Sequence, residues 1–365
     1  MDIAAFLVAA EELLAIRSTA DRPAELHRAL DLVLDAVGPG FTVERFDSNG
    51  KPSALLYPGN GSRPRFRAIL NGHLDVVPAP PEQFRPRREG DRLYARGAQD
   101  MKLSALAQAL AFREVARDLP VPVALQLVTD EEIGGHDGTA HQLEQGVTAD
   151  FVVIGEHSAL RLVVESKGLL TARLRAHGRG AHSAYQWLGD NAVLKLMRAV
   201  DRVLAAYPVA TEEAWRTTVN VARIETAPGS VNQVPAEATA WLDIRFPPGD
   251  TDFADRTPEE VAAHLGALCP PEVSVEVDRV EPPHQADPAS PDVAALREAA
   301  QAQGYSGDLL RKYGAADSRH YHQRGIDAVI FGIGGDGQHG PDEYADLTTV
   351  RPYHQALVHF LASLT

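Results

Sequence analysis

Five short clusters of His, Asp and Glu, each placed after a run of apolar residues, carry the chemistry open to this sequence. The run Phe66–Leu70 leads into Asn71-Gly72-His73-Leu74-Asp75-Val76-Val77-Pro78. His73 and Asp75 are two apart, so on extended backbone they point the same way. A carboxylate beside an imidazole can hold or tune the nitrogen that is not on a metal. Taken alone, His-x-Asp equally suits a surface loop. Asp100, within Arg96-Gly97-Ala98-Gln99-Asp100-Met101-Lys102, stands where a helix should begin. It is either an N-cap or a metal ligand, and its two oxygens allow both. The run Val123–Thr129 ends in Asp130-Glu131-Glu132-Ile133-Gly134-Gly135. Three successive carboxylates at a buried strand end repel one another and call for a cation; the alternative is a solvated acidic turn. Phe151–Ile154 ends in Gly155-Glu156, and Ala328–Gly332 leads to Gln338-His339-Gly340-Pro341-Asp342-Glu343-Tyr344.

Cys269 is the lone cysteine, so an intrachain disulfide and thiolate zinc sites are excluded, and a metal must be held by nitrogen and oxygen. Such donors suit zinc, manganese or cobalt, and the mixture of His with carboxylates favours zinc. Two ions roughly 3.5–4 Å apart would need one bridging carboxylate with further ligands on either side.

The elements that must position these residues follow from the apolar pattern. Strand-like runs alternate with helical ones through the first 165 residues: Phe66–Leu70, a helix Met101–Asp118, Val123–Thr129, Phe151–Ile154 and Leu162–Val164. The helix places Leu103, Leu106, Leu110 and Phe112 toward a core. This alternation predicts a layered α/β domain with a mostly parallel sheet, whose ligands gather at the carboxyl ends of the strands. From Gly168 the texture changes to strand (Leu169–Ala176), amphipathic helix (Asn191–Ala206) and paired strands (Val219–Glu225, Ala238–Arg245), a smaller α+β domain. The proline-rich stretch Pro282–Pro291 reads as a crossing linker, after which a helix Asp292–Gln303, a strand Ala328–Gly332 and a last helix ending near Ser363 resume the α/β texture. The expected organisation is a catalytic domain of residues 1–167 and 282–365, interrupted by an inserted lid or dimerisation domain at 168–281.

With 365 residues the chain exceeds what one hydrophobic core usually organises. A net charge of −15 repels phosphate backbones and anionic lipid, which argues against nucleic-acid and membrane partners. No apolar run approaches the ~20 residues that span a bilayer. Met1–Ile16 lacks a basic start, so it reads as an amphipathic helix rather than a signal peptide, and a cytoplasmic location is expected.

The ordered set Gly-His-x-Asp-Val-Val-Pro, Arg-Gly-x-x-Asp-Met-Lys, Asp-Glu-Glu-x-Gly-Gly, Ile-Gly-Glu and His-x-Pro-Asp-Glu-Tyr resembles the deacylase and metallopeptidase family of acetylornithine deacetylase, succinyl-diaminopimelate desuccinylase, aminoacylase and carboxypeptidase G. The resemblance runs from His73 to Tyr344. It implies two divalent ions, with Asp100 bridging, His73 and Glu156 completing one site, and Glu132 and His339 the other. It further implies Glu131 as general base, Asp75 orienting His73, and a cis peptide at Asp100–Met101. Gly180-Ala181-His182-Ser183-Ala184 looks like the family's lid motif, whose histidine helps stabilise the oxyanion, in dimers often across the subunit interface. Segments around Asn232, Arg245 and Arg319 resemble those that contact substrate, and a homodimer is implied. Gln186, where many members have proline, and Leu103-Ser104, where many have Gly-Gly, depart from the pattern and bear on pocket shape, not on ligands. The expected activity is hydrolysis of an N-acyl amino acid, with a dipeptidase or carboxypeptidase as the second reading and a catalytically inactive small-molecule-binding homologue as the third.

Overall fold

The computed structural model describes every residue except Asn60, Pro228 and Gly229, together with the side chain of Ala227. The chain forms two compact units: Met1–Val164 with Gln285–Arg311 and Ala316–Thr365, and Glu165–His284 with Lys312–Ala315.

In the first unit a nine-stranded sheet has four parallel strands at its centre, in the order Val123–Val128, Phe66–His73, Ala149–Ile154 and Asp327–Ile330. Val123–Val128 is buried along its whole length, as a strand covered on both faces must be. The register aligns the carboxyl ends: His73 lies opposite Val128, and Asn71 opposite both Gln126 and Ile154. That alignment carries His73, the Asp130–Glu132 turn and Glu156 to one edge of the sheet. Leu162–Ser166 runs antiparallel to Asp327–Ile330, and on the other side the antiparallel hairpin Thr42–Ser48 and Lys51–Tyr57 joins the sheet through Val123–Val128. Its turn is Asn49-Gly50, both with positive φ (49° and 73°), the conformation a two-residue hairpin turn of this kind requires.

The helix expected over Met101–Asp118 spans Leu103–Val115 and is buried nearly all round, from Leu103 through Ala109 and again at Ala111 and Phe112. Ser104 and Gln108 are buried with the rest; Gln108 Nε2 donates to the Val153 carbonyl at 3.2 Å. The terminal helix Val350–Ser363 packs against it, and Pro291–Gln301 packs against the terminal helix. At the amino end, helix Ile3–Leu14 is capped by Asp2 and buries Phe6, Ala10, Leu13 and Leu14. A separate four-stranded sheet joins Gly334–Asp336, Tyr344–Asp346, Arg92–Tyr94 and Arg87–Glu89, and the loop between its first two strands carries His339.

The second unit is an antiparallel four-stranded sheet, ordered Thr218–Ala227, Glu237–Phe246, Gly168–His177 and Val273–Glu281. Burial alternates along Gly168–His177, and the helices Ala192–Ala206 and Pro258–Leu268 pack on the sheet. Asn191 caps the first helix through Val193 N–H at 3.0 Å, and a Thr257/Glu260 capping box starts the second. The strand expected at Leu169–Ala176 is flanked on both sides, so it offers no free edge; the sheet's edges are Thr218–Ala227 and Val273–Glu281. Among the described residues no helix is long and apolar enough to cross a membrane.

Candidate metal centre

Asp100 sits in the turn Ala98–Lys102, where it and Met101 depart from helical angles, and the Asp100–Met101 peptide is cis. Its carboxylate caps no helix. Oδ1 lies 3.0 Å from His73 Nε2, while Oδ2 lies 3.3 Å from His339 Nε2 and accepts from Gln338 Nε2 at 2.5 Å. His73 Nε2 is also 3.3 Å from Glu156 Oε1, and His339 Nε2 is 3.1 Å from Glu132 Oε2. Two candidate ligand groups result, His73/Asp100/Glu156 and Asp100/Glu132/His339, each with its donor atoms within 4.8 Å of one another. Asp100 belongs to both.

The donor set fits divalent ions. Imidazole nitrogen and carboxylate oxygen are the ligands of zinc, manganese and cobalt, and Glu132 Oε1 is buried without a hydrogen-bond partner among the described residues. The carboxylates also favour positive charge at both rings. Burial alone would depress His73, but hydrogen bonds with Asp100, Asp75 and Glu156 outweigh it and hold the imidazole well above its ordinary value. Hydrogen bonds with Asp100 and then Glu132 push His339 up to about 10. His339 adopts a left-handed backbone, φ 60°, which a non-glycine residue takes at a cost of roughly 1–3 kcal/mol when surroundings impose it.

Neighbouring residues fix these ligands. His73 Nδ1 lies 3.0 Å from the Asp75 carbonyl and 3.5 Å from its carboxylate. The same carboxylate accepts the amides of Glu131 (3.2 Å) and Glu132 (3.0 Å), so Asp75 ties the histidine strand to the acidic turn. Gly332 lies against the Glu156 backbone, where any Cβ would overlap the Glu156 carbonyl. Gly332 thus allows two backbones to meet behind Glu156. Lys102 is fully buried and donates Nζ to the carbonyls of Leu13 (3.2 Å) and Ile16 (2.8 Å); burial lowers it to about 7.

The three successive carboxylates point into different surroundings. Asp130 turns inward and accepts the Asp137 amide at 2.7 Å; burial, then the Asp317 charge, raises it to about 7. Glu132 joins the ligand group. Glu131 is raised well above the ordinary carboxylate range by desolvation and by the Glu156 charge. Arg319 is buried and donates to the Gly134 carbonyl at 2.6 Å, so it supports the turn that follows Glu132.

His182, Asn232 and Arg245 belong to the second unit. His182 is exposed, on a short strand paired with Gln233–Val234, and the Ser183 amide donates to the Asn232 carbonyl at 2.9 Å. His182 Nδ1 accepts the Ala184 amide at 3.1 Å, which places the proton of a neutral ring on Nε2, facing outward as a donor. Arg245 pairs in two-pronged fashion with Asp243 on its own strand, at 2.8 and 3.1 Å.

The sequence of residues 69–363 matches the family described as peptidase family M20/M25/M40. The chain belongs to that family. It is 32% identical over 246 residues to a protein named probable carboxypeptidase from Trichophyton verrucosum, a match covering 59% of this chain and 52% of that protein. It is 31% identical over 267 residues to a succinyl-diaminopimelate desuccinylase from Paracidovorax citrulli, covering 66% of this chain and 68% of the relative. The chain therefore spans about half the length of the carboxypeptidase relatives it matches. A tripeptidase from Staphylococcus aureus shares the fold, with a TM-score of 0.79 at 18% identity over 98% of this chain and 97% of that one.

Two residues of this M20/M25/M40 chain support Asp100 without having been singled out as site residues: Glu343 and Gln338. Glu343 Oε1 accepts the amides of Gln99 (3.1 Å) and Asp100 (3.2 Å), while Oε2 pairs with Arg96. The signal was present, since both flank His339 in the last motif and Arg96 opens the Asp100 motif.

Proposed function

We propose that this chain is a metal-dependent hydrolase that cleaves the amide bond of N-acyl amino acids. The observation that carries the reading is the pair of ligand groups meeting at the two oxygens of Asp100. His73 and Glu156 would hold one ion, Glu132 and His339 the other, and Asp100 both; zinc is assigned, with cobalt and manganese compatible. Such ions, when bound, lower the pKa of water and polarise a carbonyl. Glu131 takes the proton of the attacking water on its carboxylate and delivers it to the leaving nitrogen. His182 Nε2–H donates to the substrate oxygen as negative charge develops there. Asn232 and Arg245 hold the carboxylate of the departing amino acid, the guanidinium exchanging its part-buried pair with Asp243 for a substrate one. For Arg319 we assign support of the Gly134 turn in place of substrate contact, because its guanidinium is buried there.

The name carried by the Trichophyton relative supports a second reading, a carboxypeptidase or dipeptidase, in which an aminoacyl group replaces the acyl group. We assign a homodimer, supported by exposed Leu194 and Met197 on the helix Ala192–Ala206 and exposed Ile224 on the edge strand Thr218–Ala227. The lone cysteine suits a reducing, cytoplasmic setting. Hydrolysis of N-acetyl and N-succinyl amino acids against dipeptides, with and without chelator, tests the reading. Preferred, chelator-sensitive cleavage of the acyl substrates supports it; no amide cleavage in metal-loaded protein overturns it.

A further inference from the structure

The first unit contains a cavity of about 310 Å³ that Glu132 lines and that His73, Asp100, Glu156 and His339 do not. That volume lies at the small end of ligand pockets, roughly 300–1,000 Å³. One wall is the segment that follows the amino-terminal helix, from Arg17 to Arg22; the other is Val76–Ala79, directly after the His73–Asp75 strand end. The two walls are pinned together: Ser18 Oγ donates to the Leu74 carbonyl at 2.6 Å, and the Val76 amide donates to the Ser18 carbonyl at 3.0 Å. The pocket's shape is thus tied to the backbone that carries His73.

Part of its lining is apolar, with Val77, Pro78, Phe84 and Ile133, and Ile133 is 49% exposed although it directly follows Glu132. Such an apolar surface is suited to a methylene chain. Among the charges that line it, Asp21 already accepts the Thr19 hydroxyl at 2.5 Å, Arg22 is exposed, and Glu132 belongs to the ligand group. Arg17 differs. It is half-buried, its guanidinium lies 5.5 Å from the centroid of the Phe84 ring, and that guanidinium makes no hydrogen bond or ion pair with any described residue. A stacked guanidinium keeps its planar fork of donors, whose geometry matches a carboxylate.

We infer that this pocket is the acyl subsite and that it selects acyl chains ending in a carboxylate, with Arg17 as the specificity-determining residue. The inference rests on the deacylase reading and narrows it: the substrates are N-acyl amino acids with an acid-terminated short acyl group, and the class of reaction that supplies them is acylation of an amine by one carboxyl of a dicarboxylic acid. Ile133, Val77 and Pro78 contact the methylenes, and Arg17 pairs the distal carboxylate.

The test compares one amino acid carrying an N-succinyl group with the same amino acid carrying the N-succinamyl group, whose terminal amide keeps the shape and removes the charge. Wild-type protein loaded with metal should have the higher kcat/KM on the succinyl substrate. Arg17→Gln should lower the succinyl-to-succinamyl ratio by about 10- to 100-fold, the scale of one lost charge-assisted bond, and Arg17→Lys should retain part of it. Free succinate should inhibit, with an inhibition constant that rises by a similar factor in Arg17→Gln. Melting temperature and metal content, measured on the same samples, identify a variant that fails to fold. A wild-type ratio near one, or a ratio unchanged in a folded Arg17→Gln, overturns the subsite and leaves the deacylase reading intact. Absence of hydrolysis of both substrates overturns the deacylase reading; if calorimetry then detects succinate binding that needs Arg17, the anion pocket stands on its own.

Discussion

Glu343 holds the backbone of Asp100: its Oε1 accepts the Asp100 amide at 3.2 Å while its other oxygen pairs with Arg96, and both side chains of that pair are buried. Removing the carboxylate leaves a buried guanidinium uncompensated and two amides without their acceptor. Glu343→Ala should therefore lower stability by about 3–5 kcal/mol, the usual cost of breaking one side of a buried pair. Urea unfolding measures it, and a loss below about 1 kcal/mol would contradict the assignment. Replacing Arg96 by Met in the same background should recover part of the loss, because no charge is then stranded.

Glu131 is assigned to the proton and not to a metal. Glu131→Gln should keep the metal content of the wild type and lose several orders of magnitude in kcat. If that variant loses metal while Glu132→Gln keeps it, the two roles are exchanged.

His182 presents an N–H because its other ring nitrogen accepts the Ala184 amide. A donor acting on the developing oxyanion lowers the barrier without holding the ground state. His182→Ala should cut kcat by roughly 10²–10³, with a much smaller change in KM and none in metal content. A lower melting temperature with near-normal kcat would mark it instead as a structural histidine of the second unit.

Assembly is testable through the helix Ala192–Ala206, whose Leu194 and Met197 are both 54% exposed. Light scattering at micromolar concentration should find wild-type dimers, and Met197→Glu should shift them toward monomers. A wild-type monomer would remove the homodimer from the account.

The placement of the candidate ligands was legible because His73, the Asp130–Glu132 turn and Glu156 each follow an apolar run that reads as a strand, and parallel register carries such ends to one edge; their roles came from the family resemblance. The rest depends on relations that no spacing encodes. Asp100 reads equally as a helix cap until its oxygens are found facing His73 and His339. Asp130 belongs to the same acidic run as Glu132, yet it turns inward toward the charge of Asp317, a residue far along the chain. Glu343 acts on backbone amides, which carry no residue-type signature. Sheet order hid the free edges of the second unit, since Leu169–Ala176 looks the same in sequence whether it is central or at an edge.

The claim at the centre of the account is that one carboxylate, Asp100, serves two metal ions. Elemental analysis of exhaustively dialysed protein measures this directly, on the wild type and on two variants. The account predicts about two divalent ions per chain in the wild type, about one in His339→Ala, and fewer than one in Asp100→Ala, with amide hydrolysis lost on chelation and restored by added zinc. Two ions retained in Asp100→Ala, or full activity in protein shown to be metal-free, would contradict it.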